Sequence, residues 1–240
     1  MKLFLVVVFV FLFSSFVFNQ DTPRDQKTWD KSREQKLAQI KELNAQINKI
    51  VDDLVTPLAP DVQQAESEGA QVFRLNPREI YGWIAAPLGG GCYYSFSEKS
   101  HDYQHTAQIE LQQGYLSVGF AGADYGFMID LGERGMTDIS EETPEVKFLY
   151  NYAAPSDEPV ARAEYRKLQK YEAEGFIYKN RFPAVVVHSY LLRAITYSRS
   201  DTLVALRIIR KDTDGSLIIY WKPLKTFDKP ELKPNDPAIN

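Results

Sequence analysis

Histidines are scarce in this chain, and two of them stand close together. His101 and His105 are four residues apart, with Glu98 and Asp102 nearby, and His188 is the only other histidine. On a helix that spacing places two imidazoles on one face, where they can hold a metal with His188 or a carboxylate as third ligand. A metal-dependent hydrolase is the activity such a set would support. The local sequence, Ser-Glu-Lys-Ser-His-Asp-Tyr-Gln-His, reads as a loop between strands. The shared-face argument therefore fails, and solvated loop histidines are the plainer reading.

The remaining reactive groups are isolated. Cys92 is the one cysteine, so no intramolecular disulfide forms, and an exported domain must be stable from packing alone. With His101 or His105 it would make a nucleophile and base, but nothing in the sequence positions them. A small buried apolar role is the commoner fate of such a residue. Asp212 and Asp214 before Gly215 resemble the start of a calcium loop, but the later ligands are missing and an ordinary turn fits better. The run Pro87-Leu88-Gly89-Gly90-Gly91-Cys92 lacks the Lys-Ser/Thr of a phosphate loop and precedes no helical pattern, so it reads as a tight bend. No cofactor is implied.

Aromatic residues give the other candidate site. They make up 13% of the chain. Trp83, Tyr93, Tyr94 and Tyr103 fall in the aromatic-rich segment from Tyr81 to Tyr125. Exposed on a β-surface, such rings would form a platform for sugar faces or peptide side chains. Buried, they would fill the core and sheet edges. The loop from His101 to Tyr103 is the first place to look for a binding surface.

Strands are expected to position these residues. From Ala70 onward the sequence alternates apolar and polar residues. Thr106–Leu111 and Tyr115–Ala121, around Gly114, predict a hairpin with one wet face. Tyr125–Leu131 and Val146–Tyr152 read as further strands, and Ala184–Tyr197 as one long or bent strand. Thr202–Arg210 and Ser216–Trp221 flank an Asp-Gly turn, a strong hairpin signal. One helix is expected to open near Pro159, beside Asp157 and Glu158, and to close at Gly175. The fold class predicted is mainly β, an antiparallel sandwich or barrel with one inserted helix, over residues 69–228. Residues 229–240 hold three prolines in a short stretch and predict an extended or disordered tail.

Residues 20–68 precede this domain. Ile40, Leu43, Ile47, Ile50 and Leu54 step by three and four, so residues 28–55 predict an amphipathic helix ending before Pro57. Two heptads are too few to establish a coiled coil. The stripe is expected either to pack on the β-domain or to take a protein partner, a second copy included. Thr56–Gly69, with its prolines and polar residues, reads as a linker.

At the front, residues 3–18 are uncharged and strongly apolar behind Lys2. Residues 1–19 thus have the layout of a signal peptide or signal anchor. Phe16-Val17-Phe18-Asn19 is a poor cleavage site, which favours an anchor, while a run of sixteen residues is slightly short for a bilayer span. Uncleaved, the segment makes the membrane a partner, with the remainder facing away from the cytoplasm. Cleaved, it leaves the domain secreted or periplasmic.

Charge excludes one class of function. The formal charge is −4. Residues 69–142 carry four basic and ten acidic residues, and residues 143–240 sixteen and twelve. Neither stretch has a dense basic stripe, so duplex nucleic acid is not an expected partner. The expectation from sequence is a non-catalytic interaction or assembly protein of a cell envelope or secretory compartment. A carbohydrate- or peptide-binding module and a metal-dependent hydrolase are the alternatives.

Overall fold

A computed structural model describes residues 26–82, 89–101, 106–120 and 123–233. Helix α1 spans Gln26–Val55 and α2 Ala59–Ser67. The chain divides into two compact units, residues 1–45 and 46–240. In the first, the described residues are the front of α1, with Trp29, Leu37, Ile40 and Leu43 exposed. The second begins inside α1 and holds every strand. Among the described residues no helix is long and apolar enough to cross a membrane, and the apolar run of residues 3–18 lies outside them.

The expected linker is instead a helix. Pro60 fits the first turn of α2, where its missing N–H leaves no bond unmade, and Asp61 sits at the positive end of the dipole. Gly69 adopts φ 66° just past the helix, and the Ala70 N–H donates to the Ala65 carbonyl at 2.9 Å. Proline and glycine here mark the two ends of a helix rather than a flexible segment.

The domain is mostly antiparallel β with a few helices. Its larger sheet has five strands in the order β1 (Gln71–Leu75), β11 (Leu217–Phe227), β10 (Ser200–Lys211), β9 (Ser189–Thr196), β5 (Tyr125–Asp130). The smaller sheet runs β2 (Tyr93–Tyr94), β3 (Ile109–Gln112), β4 (Tyr115–Ser117), β8 (Arg181–Pro183). Strands β6 (Tyr171–Ala173) and β7 (Phe176–Tyr178) pair alone.

Alternate residues of the large sheet enter two separate cores. Met128, Leu192, Ala194, Val204, Leu206 and Trp221 point to a core completed by Phe73, Ile109, Leu111 and Leu116, beneath the smaller sheet. Phe127, Leu191, Ile195, Leu203, Ala205 and Tyr220 point to the other. That second core is closed by Val146 and Leu149 of α3 (Val146–Asn151), Ala161 of α4 (Glu158–Lys167) and Tyr178. Strand β9 is buried at every position because both its faces are covered, which explains its unbroken apolar sequence.

The expected hairpins form. Leu111 pairs with Leu116 in β3–β4, and β10–β11 close over Asp212–Gly215. Both turn carboxylates are taken by Arg74, at 2.7 Å from Asp212 and 2.9 Å from Asp214. Arg210 also binds Asp212 and makes two bonds to Asp61, fixing α2 to the hairpin.

Three expected elements differ. Val146–Tyr152 is helix α3 rather than a strand, because Val146 and Leu149 share one face and fill the core together. Helix α4 opens as predicted, with the Asp157 side chain accepting the Val160 N–H at 3.0 Å. It ends at Lys167, not Gly175. Glu174 and Gly175 form the two-residue turn between β6 and β7, both with φ above +50° as such a turn requires. Ala184–Tyr197 supplies β9 only from Ser189, after a turn containing Val187.

Candidate functional site

A cleft of about 480 Å³ opens where β9 turns into β10 and the end of β11 runs alongside. Two loops shape it. Ser95 and Ser100 exchange backbone hydrogen bonds of 2.8 and 3.2 Å, closing a turn that carries Phe96, Ser97 and Lys99. On the facing side, Arg199 donates its N–H to Thr196 and Ser198 donates to the Pro230 carbonyl. One buried side chain ties the two loops together. Gln108 accepts the Ser97 N–H at 2.9 Å and donates to the Ser200 hydroxyl at 3.3 Å.

Backbone conformation also marks the cleft. Among the described residues, five non-glycine positions have positive φ. Gln113 and Glu174 precede glycines in hairpin turns, and Val187 lies in the turn before β9. The other two, Lys99 (φ 52°) and Ser198 (φ 60°), flank the cleft. Such conformations persist only where the surrounding structure holds them.

Two buried polar groups lie beneath the cleft. Thr202 lies on β10 opposite Thr226, on the face of the sheet that bears Val204 and Trp221. Thr202 is 4% exposed and Trp221 1% exposed. Among the described residues, neither the Thr202 hydroxyl nor the Trp221 Nε1–H meets a hydrogen-bond partner. The indole leans toward the Tyr94 hydroxyl and moderates the rise that burial causes in that phenol, which still reaches about 12. The geometry falls short of a hydrogen bond, so the N–H stays unsatisfied. Buried polar atoms are nearly always paired.

Phe96 and Phe227 add apolar wall, and Ser97, Ser200 and Thr226 add hydroxyls. Lys99, Arg199, Asp228 and Lys229 are exposed and form the rim. Asp201 also lines the cleft, but both its oxygens accept from buried Arg193, at 2.8 and 2.6 Å. Lys229 pairs with Glu231 at 3.3 Å. Lys99 and Arg199 make no ion pair among the described residues.

The residues singled out from sequence are dispersed. Trp83, Tyr103 and His105 lie outside the described residues. Tyr93 is buried beside Glu110 and meets Phe120 edge-on at 5.6 Å. Tyr94 is buried too. It stacks on Phe73 at 4.0 Å and touches Phe96 and Trp221 edge-on, so it backs the cleft from behind. His101 sits against Tyr94, its Nε2 2.7 Å from the Arg74 carbonyl at the β1 edge of the large sheet. His188 lies 3.0 Å from both oxygens of Asp130, at the opposite, β5 edge. Among the described residues no three His, Cys, Asp or Glu side chains gather as a metal set. Cys92 donates to the Gly89 carbonyl at 2.6 Å, and burial together with Glu110 pushes its thiol up to about 12. It therefore stays protonated at neutral pH.

The His101 environment has a consequence for stability. Burial lowers its pKa, and the hydrogen bond to Arg74 opposes this in part. A carbonyl only accepts, so Nε2 carries the hydrogen. With the folded pKa below the unfolded value near 6.5, the unfolded chain binds more protons between the two. Stability is thus full above about pH 6.5 and falls as pH drops toward the folded pKa. Urea unfolding of the full chain from pH 7.5 to 5 should show this loss, and His101→Gln should flatten it. An equal slope in that variant would assign the effect elsewhere.

Sequence reasoning looked for a binding surface at the loop from His101 to Tyr103; the cleft is lined by Phe96, Ser97 and Lys99 of the turn before it, and Tyr103 lies outside the described residues. Trp221 and Thr202 were legible only as strand residues. No protein-family model matches the chain, and no curated protein or solved structure matches it.

Proposed function

We propose that this chain is a non-catalytic binding protein of a cell envelope or secretory compartment. Its N-terminal apolar segment exports or anchors it, and a sandwich-like β-domain beyond the membrane takes a small ligand in the cleft. The observation that carries this reading is the cleft itself, walled by Phe96, Trp221 and Phe227 and lined by Ser97, Ser200 and Thr226. The cleft volume of about 480 Å³ falls in the range of about 300–1,000 Å³ usual for small-molecule sites. Aromatic walls with a few convergent polar groups are the usual make-up of such sites.

A second reading rests on α1. Leu37, Ile40, Leu43, Ile50 and Leu54 are exposed along that helix, an apolar stripe suited to assembly with a protein partner or a second copy.

A thermal-shift screen of the full chain separates the two. Soluble glycans, short peptides, and divalent metals with a chelator control are the probes. A ligand that binds only the folded state at a hundredfold excess over its Kd adds about 2.7 kcal/mol of stability. A rise with one small ligand supports the cleft reading. A cooperative melt that no probe shifts, with concentration-dependent sedimentation, overturns it in favour of assembly.

A further inference from the structure

Helix α1 carries an apolar seam with a regular period. Ile40, Ile47 and Leu54 recur every seventh residue, and Leu43 and Ile50 each follow three residues later. These are the a and d positions of two successive heptads. In front of them the same positions hold Arg33 and Lys36. The apolar seam therefore runs from Ile40 to Leu54, about 21 Å along the helix.

The domain holds the end of this helix by another side. Val55 is buried and closes on Gly91, so near that a Cβ on that glycine would meet Val55 Cγ1 at 2.1 Å. Ile50 and Leu54 beside it stay 59% and 43% exposed, and Ile40 and Leu43 52% and 49%. The seam is thus left bare while its helix is fixed.

Its flanks suit an identical copy. The positions on either side of the seam are Leu37, Asn44 and Val51 along one edge and Gln39, Gln46 and Asp53 along the other. One charge stands among these six, so two copies meet without like-charge repulsion. Charges at such positions are what select a different partner and set its orientation, and here they are almost absent. Lys41, Glu42, Lys49 and Asp52 lie on the outer positions instead. In a parallel pair Gln39 would face Asn44 of the second copy and Gln46 would face Val51. Orientation comes from the front of the chain. The apolar run of residues 3–18 precedes α1 in every copy. Held in one bilayer by that run, as proposed above, all copies send α1 away from the surface in one direction. They also meet at the raised local concentration that a seam of only two heptads needs.

We propose that α1 pairs with α1 of a second copy, parallel and in register, through Ile40, Leu43, Ile47, Ile50 and Leu54. The proposal rests on the assembly reading above and names its partner; it is independent of what the cleft binds.

The experiment is oxidative cross-linking of the full chain in dodecyl maltoside, with copper phenanthroline as oxidant. Wild type is the blank, because Cys92 is buried and bonded to Gly89. Ile40→Cys and Leu54→Cys should each give a covalent dimer, since both positions face their own counterpart in a parallel, in-register pair. Ala45→Cys, on the outer side of the helix, should stay monomeric. Adding Ile50→Glu to Ile40→Cys puts a charge into the seam of both copies and should abolish the dimer. Ile50 is exposed, so an unchanged melting temperature checks that this variant is folded. An antiparallel pair would set Ile40 against Leu54 of the second copy; neither single variant would then link, which overturns the proposal. Linking of Ala45→Cys as fast as the others, or linking that survives Ile50→Glu, also overturns it, because the contact would then arise outside the seam. If the pairing fails while sedimentation still depends on concentration, the assembly reading stands through another surface. If sedimentation is also independent of concentration, both fail, and the cleft reading is untouched.

Discussion

Replacing Asp201 with alanine is expected to destabilise the domain by about 3–5 kcal/mol, the usual cost of stripping one partner from a buried ion pair. The side chains of Arg193 and Asp201 are each 3% exposed. The guanidinium gives two bonds to the carboxylate, and its remaining nitrogen donates to the carbonyls of Leu149 and Tyr152 at the end of α3. Phe227 lies over it at 3.7 Å. Without Asp201 the guanidinium would keep its charge with only the two carbonyls and the Phe227 ring against it. The total stability of an ordinary domain is only about 5–15 kcal/mol, so the loss should be plain in urea unfolding. Asp201→Asn keeps an acceptor oxygen and should fall between wild type and alanine. Swapping both members for Met and Leu should not restore full stability, because the Leu149 and Tyr152 carbonyls would then lose their donor. Equal stability of Asp201→Ala and wild type would mean that water reaches the guanidinium.

That pair also shows where sequence reading stops. Arg193 interrupts an otherwise apolar run and could be read as a strand residue. Nothing local says that it anchors the end of a helix about forty residues earlier. The same limit governs α3. The aromatic alternation Phe148, Tyr150, Tyr152 imitates a strand, and only the covered face of the large sheet selects the helix that buries Val146 and Leu149. By contrast, β3–β4 and β10–β11 were legible because their turns and alternation are local. The prolines and glycines were legible as punctuation, yet ambiguous in sense. Pro60 and Gly69 bound a helix, while Gly175 turns a hairpin. The cleft was the least legible feature. It joins residues 96–99, 199–202 and 221–229, and a juxtaposition of segments so far apart has no local signature in a sequence.

Trp221 offers the sharpest test of the residues beneath the cleft, because its packing and its N–H can be removed separately. The ring is fully buried and meets Phe96 at 5.0 Å and Tyr94 at 6.1 Å. Trp221→Ala leaves a large hole in the core beneath the smaller sheet and should cost about 3–5 kcal/mol. Trp221→Phe keeps most of the ring contact and deletes a buried N–H that has no partner. Leaving such a group unsatisfied costs about 1–3 kcal/mol, so its removal offsets the smaller ring. The phenylalanine variant should therefore melt within about 1 kcal/mol of wild type. If phenylalanine proves as destabilising as alanine, the indole N–H is satisfied in the folded protein. If phenylalanine is tolerated, the N–H is unpaired in the folded protein, and packing of the ring against Phe96 and Tyr94 is what Trp221 contributes.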